Sequence, residues 1–171
     1  MVGLACSACA APAKHAVPEE HPRLLGSRSR LQDLAAERGE AYQRVIQVAR
    51  ESQADDHEKM ISMALVCAIE QDEQLGKAAV QMAMKYIDGP IREGHVTFAH
   101  DLARCAVVYD LCYPYWTAEQ RGRFHDYVNK TVDANIRSET HGFHNGWYGY
   151  KNWGIGLACY AAYYENPRAP E

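Results

Sequence analysis

Apolar residues recur along this chain at three- and four-residue intervals, the spacing of one face of an α-helix. The pattern starts after an extended lead-in, Val17-Pro18-Glu19-Glu20-His21-Pro22-Arg23-Leu24-Leu25, whose prolines disfavour helix for the residues before them. Ser27 or Ser29 can cap a short helix carrying Leu31, Leu34 and Ala35, which stops at Gly39. Tyr42, Val45, Ile46 and Ala49 then mark one face of a second helix. Asp55 or Asp56 opens a third, almost uninterruptedly apolar from Met60 to Ile69 and therefore expected to be buried on most sides. Gln71-Asp72 breaks it. Leu75, Ala78, Ala79, Met82 and Tyr86 stripe a fourth helix that ends at Gly89-Pro90, so the third and fourth form an αα-hairpin.

The same design repeats. Thr97 can cap a fifth helix bearing Phe98, Leu102, Cys105, Ala106, Tyr109, Cys112 and Tyr113, interrupted by Pro114 and Trp116. Thr117-x-x-Gln120 is a capping box opening a sixth, with Phe124, Tyr127, Val128, Thr131 and Ile136 inward. A final apolar helix is expected from about Ile155 to Tyr164, where a Tyr160, Tyr163 and Tyr164 cluster suits a core. Tyr109 and Asp110 read as anchors of helix packing, and His57, His100 and His125 as solvated positions on helix faces. Strand patterns are nearly absent. The expectation is an all-α chain of stacked αα-hairpins forming part of an incomplete (α/α) toroid, with inner and outer helical layers.

Bulk properties narrow the class. The 171 residues fit one domain with a real core; 47% are hydrophobic and 23% charged, with no apolar run long enough to span a bilayer. A formal net charge of −4 and the lack of a Lys/Arg cluster argue against nucleic acid as partner. Cys6 and Cys9 form a lone C-x-x-C, and Cys67, Cys105, Cys112 and Cys159 lie in apolar helical patterns as small buried hydrophobes. Neither a metal site nor a cofactor is expected. Residues 1–20 read as a leader or the remnant of a signal segment, which leans towards a periplasmic or secreted protein. Residues 21–171 read as a partial toroid domain; the last hairpin lacks a second member, so the domain is expected to be truncated at its C-terminal side or else to self-associate.

One stretch differs from the rest: Glu139 to Gly156 crowds His141, His144, Asn145, Trp147, Tyr148, Tyr150, Asn152 and Trp153 among glycines. Glycine and aromatic side chains are poor helix formers, so the stretch predicts a loop. Flat rings for stacking, beside amide and imidazole groups for polar recognition, suit a sugar. Asn152 would cap the helix that follows, and a helix start also favours a nearby anion.

Several motifs resemble a known family. His21-Pro22-Arg23-Leu24-Leu25 followed by a Ser-capped helix is similar to the start of the helical domain of heparinase II/III-like and alginate-lyase-like polysaccharide lyases. Ala64 to Asp72 resembles that domain's early hairpin turn, and Val107 to Cys112 with Trp116 to Arg121 its "YD…L(S/T)xExR" segment. Asn152-Trp153-Gly154-Ile155-Gly156-Leu157-Ala158 resembles its Asn-aromatic-Gly helix start. The resemblance implies β-elimination on a uronic-acid polysaccharide, and further C-terminal helices and a β-sandwich module beyond this chain. That chemistry needs a neutralised C6 carboxylate, a base for the C5 proton and an acid for the departing oxygen.

By resemblance Asn152 would hydrogen-bond the carboxylate, while Trp153 stands where members with a His base carry histidine. Indole cannot be that base, so His144 (or His141) is the candidate imidazole and Tyr148 or Tyr150 the candidate phenol. His141, Asn145, Trp147, Asn152 and Trp153 are the expected substrate contacts. The acidic polysaccharide is the expected partner, and the piece alone is expected to be inactive. Two rivals stand beside this reading. A glycoside hydrolase on a related toroid needs paired carboxylic acids, of which the stretch offers only Glu139; the other rival is a non-catalytic helical module that binds a glycan or a partner.

Overall fold

The computed structural model describes residues 16–51, 53–91, 97–136 and 145–170, with side chains except those of 97, 136 and 145–152. The expected leader lies largely outside the described residues. Among the described residues seven α-helices follow one another: α1 (Arg28–Glu37), α2 (Gly39–Arg50), α3 (Asp56–Glu70), α4 (Glu73–Ile87), α5 (Thr97–Leu111), α6 (Ala118–Ile136) and α7 (Asn145–Ala161), with a 3-10 turn at Tyr113–Tyr115. There is no strand among the described residues. The chain is all-α. No helix of the described part is long and apolar enough to cross a membrane.

Caps act where the side chains dictate them. Ser27 accepts from Arg30 N–H, Asp55 from His57 and Glu58, and Asp72 from Gln74 and Leu75. Thr117 and Gln120 close a reciprocal box: Gln120 Oε1 accepts from Thr117 N–H at 2.9 Å and Thr117 Oγ1 from Gln120 N–H at 3.2 Å. Gln71, between α3 and α4, takes left-handed geometry at φ 61°. Gly39 does not stop α1 but begins α2; the two are separated by Arg38 alone.

The continuous apolar run of α3 is explained by its neighbours, since it packs against α1, α2, α4 and α5. Alternate helices also meet: α3 lies beside α5, and α5 beside α7, its most extensive partner, while α4 contacts α6. Directions follow from paired landmarks. Gly154, midway along α7, abuts Ala99 near the start of α5, and Arg23 ties Ala161 at the end of α7 to Asp110 at the end of α5. Tyr115, just after α5, reaches Gln71 O at the end of α3, while Arg104, midway along α5, shares a groove with His57 and Ser62 nearer the start of α3. So α3, α5 and α7 run parallel in one row. Against α3, α4 runs antiparallel, with Gly76 against Cys67 at one end and Tyr86 stacked on His57 at the other.

Near the end of α5, Tyr109 is fully buried and stacks on Phe124 of α6, with ring centroids 4.4 Å apart. Trp116 adds an edge contact to Tyr109 and donates its indole N–H to Val108 O. The tail after α7 folds back on α6: the Asn166 and Asn129 amides pair, and Arg168 grips Asp133 with two hydrogen bonds. Tyr160 and Tyr164, expected in the core, are instead 37% and 52% exposed.

Candidate functional site

The structure corrects the sequence reading at its centre. Helix α7 begins at Asn145, ten residues before the expected helix, so Asn145, Trp147, Tyr148, Tyr150, Asn152 and Trp153 sit on a helix and not on a loop. Asn152 is therefore mid-helix and cannot be its N-cap. The physical reason lies in α5. A methyl carbon at Gly154 would lie 2.7 Å from Ala99 Cα, so only glycine lets the two backbones approach this closely. Burial against α5, continued by Ala158 and Ala161, outweighs the low helix propensity of the glycines.

His141 and His144 lie outside the described residues. For Asn145, Trp147, Tyr148, Tyr150 and Asn152 the structure gives the backbone alone. That backbone is informative. Gly154 is the tenth described residue of α7 whereas Ala99 is the third of α5, so at 1.5 Å per residue the described part of α7 reaches about 10 Å (two turns) further than the described part of α5. Those two turns carry Asn145, Trp147, Tyr148 and Tyr150, and Asn152 follows level with the first described residue of α5. Helical register also places Asn145, Gly149, Asn152 and Gly156 along one stripe.

Trp153 is described in full. It is 46% exposed, and its ring meets His100 of α5 edge-on at 5.6 Å. Gly156 is exposed with no atom near its missing side chain, and Tyr160, two turns from Trp153, is partly exposed as well. The described half of this face is thus an open aromatic ledge. Two cavities lie elsewhere. One, about 580 Å³, is lined by Arg44, Val45, His57, Ile61 and Ser62 with Arg104; the other, about 490 Å³, runs along residues 18–29. Neither is lined by α7.

A second constellation was not foreseen as a unit. Asp110, whose side chain is fully buried, accepts backbone N–H bonds from Arg23 through both oxygens (2.8 Å each) and from Leu24 (2.7 Å), and it pairs with His21 Nδ1 at 2.6 Å. The His21 ring stacks on Tyr113 at 3.9 Å, and the Arg121 guanidinium lies over the Tyr113 ring, 5.1 Å from its centroid. Arg23 donates to Ala161 O, to Glu19 O and to both oxygens of Glu165. Burial alone would raise the Glu165 carboxyl; hydrogen bonding and charge from Arg23, with His21 adding to them, hold it below the ordinary carboxylate range. The His-Pro-Arg-Leu-Leu lead-in and the Tyr-Asp of α5 therefore form one clamp across the ends of α5 and α7. Two of the motifs that carry the family resemblance meet here, and their work is structural.

The histidines on helix faces are not simply solvated. His125 Nε2 lies 3.0 Å from the Tyr109 hydroxyl, and burial lowers its imidazole below the ordinary range. Burial likewise raises the Tyr109 phenol, so it stays protonated. His57 stacks on Tyr86 at 5.1 Å. Periodicity could have shown that His125 lies one residue from Phe124 on the inward face, but not that Tyr109 would reach it.

Comparison with family models, curated proteins and solved structures finds no match for this chain.

Proposed function

We propose that this chain is part of a polysaccharide lyase that cleaves a uronic-acid-containing polysaccharide by β-elimination, built on a partial (α/α) toroid, and acting in the periplasm or outside the cell. The observation that carries the reading is the projection of α7. Two turns bearing Asn145, Trp147, Tyr148 and Tyr150 reach past the described part of α5 and lead through Asn152 to the exposed ring of Trp153. A helix N-terminus carries partial positive charge and suits the carboxylate of a uronate. An exposed indole supplies a stacking surface for a sugar ring. In this reading Asn152 neutralises the C6 carboxylate, His144 takes the C5 proton and Tyr148 or Tyr150 protonates the leaving oxygen. Asn145, Trp147, His141 and Trp153 hold the chain of sugars.

The test is turnover of alginate, heparin-type and ulvan-type polymers by the longer protein that the reading implies, followed through the absorbance of the unsaturated uronate product. Asn152→Ala and His144→Ala are each expected to lower turnover more than tenfold, equivalent to at least about 1.4 kcal/mol of barrier. Unchanged rates would remove both from the mechanism. New reducing ends without the absorbance would mean hydrolysis, and the absence of both signals would leave a glycan-binding module.

A further inference from the structure

The larger of the two cavities, about 580 Å³, stands apart from the lyase reading, since α7 does not line it. It is a groove over the first half of α3, bordered by α2 and by α5, both of which pack on that helix. Ala41, Arg44, Val45 and Val48 fall at i, i+3, i+4 and i+7, so one face of α2 forms a wall. Val45, Val48 and Ile61 are each only partly buried and give the groove an aliphatic lining. Ser62, buried on α3, adds a hydroxyl.

The charges around this lining are unequally engaged. Arg44 is exposed and makes no ion pair or hydrogen bond among the described residues. Arg104 lies 3.7 Å from Asp101, too far for a hydrogen bond, so its guanidinium donors are open as well. On the acidic side, Asp55 is engaged as the cap of α3, its Oδ1 accepting from the His57 and Glu58 N–H groups. Glu58 itself is exposed. His57, on the wall, keeps Nδ1 buried without a hydrogen-bond partner, so polar capacity beside the groove is unsatisfied.

We propose that this groove binds a small amphipathic monocarboxylate, its apolar body on Val45, Val48 and Ile61 and its carboxylate held by Arg44 and Arg104. A guanidinium presents a rigid fork that matches a carboxylate through two parallel N–H···O bonds. Two cations and two carboxylates border the groove, so one negative charge is accommodated better than the two of a phosphate. The net charge of −4 gives no overall field that would gather anions, which makes the local arginine pair decisive. The size suits such a ligand, since small-molecule sites span about 300–1,000 Å³.

The experiment is titration calorimetry of the full chain at neutral pH with octanoate as the probe. Octanol supplies the body without the charge, acetate the charge without the body, and inorganic phosphate a dianion. Octanoate is expected to bind at a single site, about tenfold or more tighter than octanol or acetate, and phosphate is expected not to displace it. Arg44→Gln and Arg104→Gln should each weaken octanoate about tenfold or more. Arg50→Gln, on α2 but outside the groove, should leave it unchanged. Should Arg104→Gln not fold, the exposed and unpaired Arg44 decides. Absence of octanoate binding, equal binding of octanol or acetate, displacement by phosphate, or an affinity untouched by Arg44→Gln would each overturn the proposal. An equal loss in Arg50→Gln would overturn it too, because the response would then follow net charge and not this groove.

Discussion

Asp110 accepts from two backbone N–H groups, that of Arg23 through both oxygens and that of Leu24, and pairs with the imidazole of His21 from a position without solvent. Replacing it by alanine strips these donors of their partner while they stay buried. The expected cost of Asp110→Ala is about 3–5 kcal/mol, the range for removing one partner of a buried charged network. Urea denaturation checks it, and a loss below 1 kcal/mol would mean that the lead-in is held by other contacts. Two neighbouring groups set the acid limb of stability. His125 is held neutral by burial, so its folded value lies below the 6.5 of the unfolded chain. The stability it contributes is complete above pH 6.5 and declines as pH falls from there through the folded value. The carboxyl of Glu165 is lowered from 4.5, so its contribution is lost further down, as pH falls below 4.5. Melting curves against pH should therefore show two declines, with His125→Gln removing the upper and Glu165→Gln the lower. A single decline unchanged by either variant would refute the assignment.

At the scale of elements, the helices with regular stripes and side-chain caps were legible from residue spacing. Asp55, Asp72 and the Thr117–Gln120 box fix their helix starts through bonds to neighbours two or three residues away, so the information is local. The start of α7 was not legible. Its glycines and rings count against helix when only local propensity is weighed, and the compensating contact is with Ala99, fifty-five residues earlier in the chain. Two glycines on this one helix should respond in opposite directions. Gly154→Ala drives a methyl into the backbone of α5 and is expected to destabilise by about 1–3 kcal/mol despite alanine's better propensity. Gly156→Ala meets nothing within 4 Å and should stabilise by up to about 1 kcal/mol. Thermal melts of the two variants test this; equal shifts would mean that α7 does not pack as described.

For the whole molecule, the parallel row of α3, α5 and α7 decides what the candidate segment can do. A row of parallel helices brings their N-terminal ends to one side, so His100 of α5 meets Trp153 of α7 there, while the clamp of His21, Arg23, Asp110 and Glu165 closes the other end. The proposed lyase chemistry belongs to the first end, and the motifs of the clamp serve the second. The hydrophobic spacing and the caps determined by themselves that the chain is all-α, where most helices begin and end, and that α3 is surrounded. These follow from interactions within a few residues and from the simple need to cover apolar surface. The tertiary structure alone decided that the aromatic segment is helical, that Asp110 holds the lead-in, and that His125, half-buried, meets the Tyr109 hydroxyl. Each depends on residues far apart in the chain that meet only when the helices pack, and no local pattern encodes which distant partner a side chain will reach.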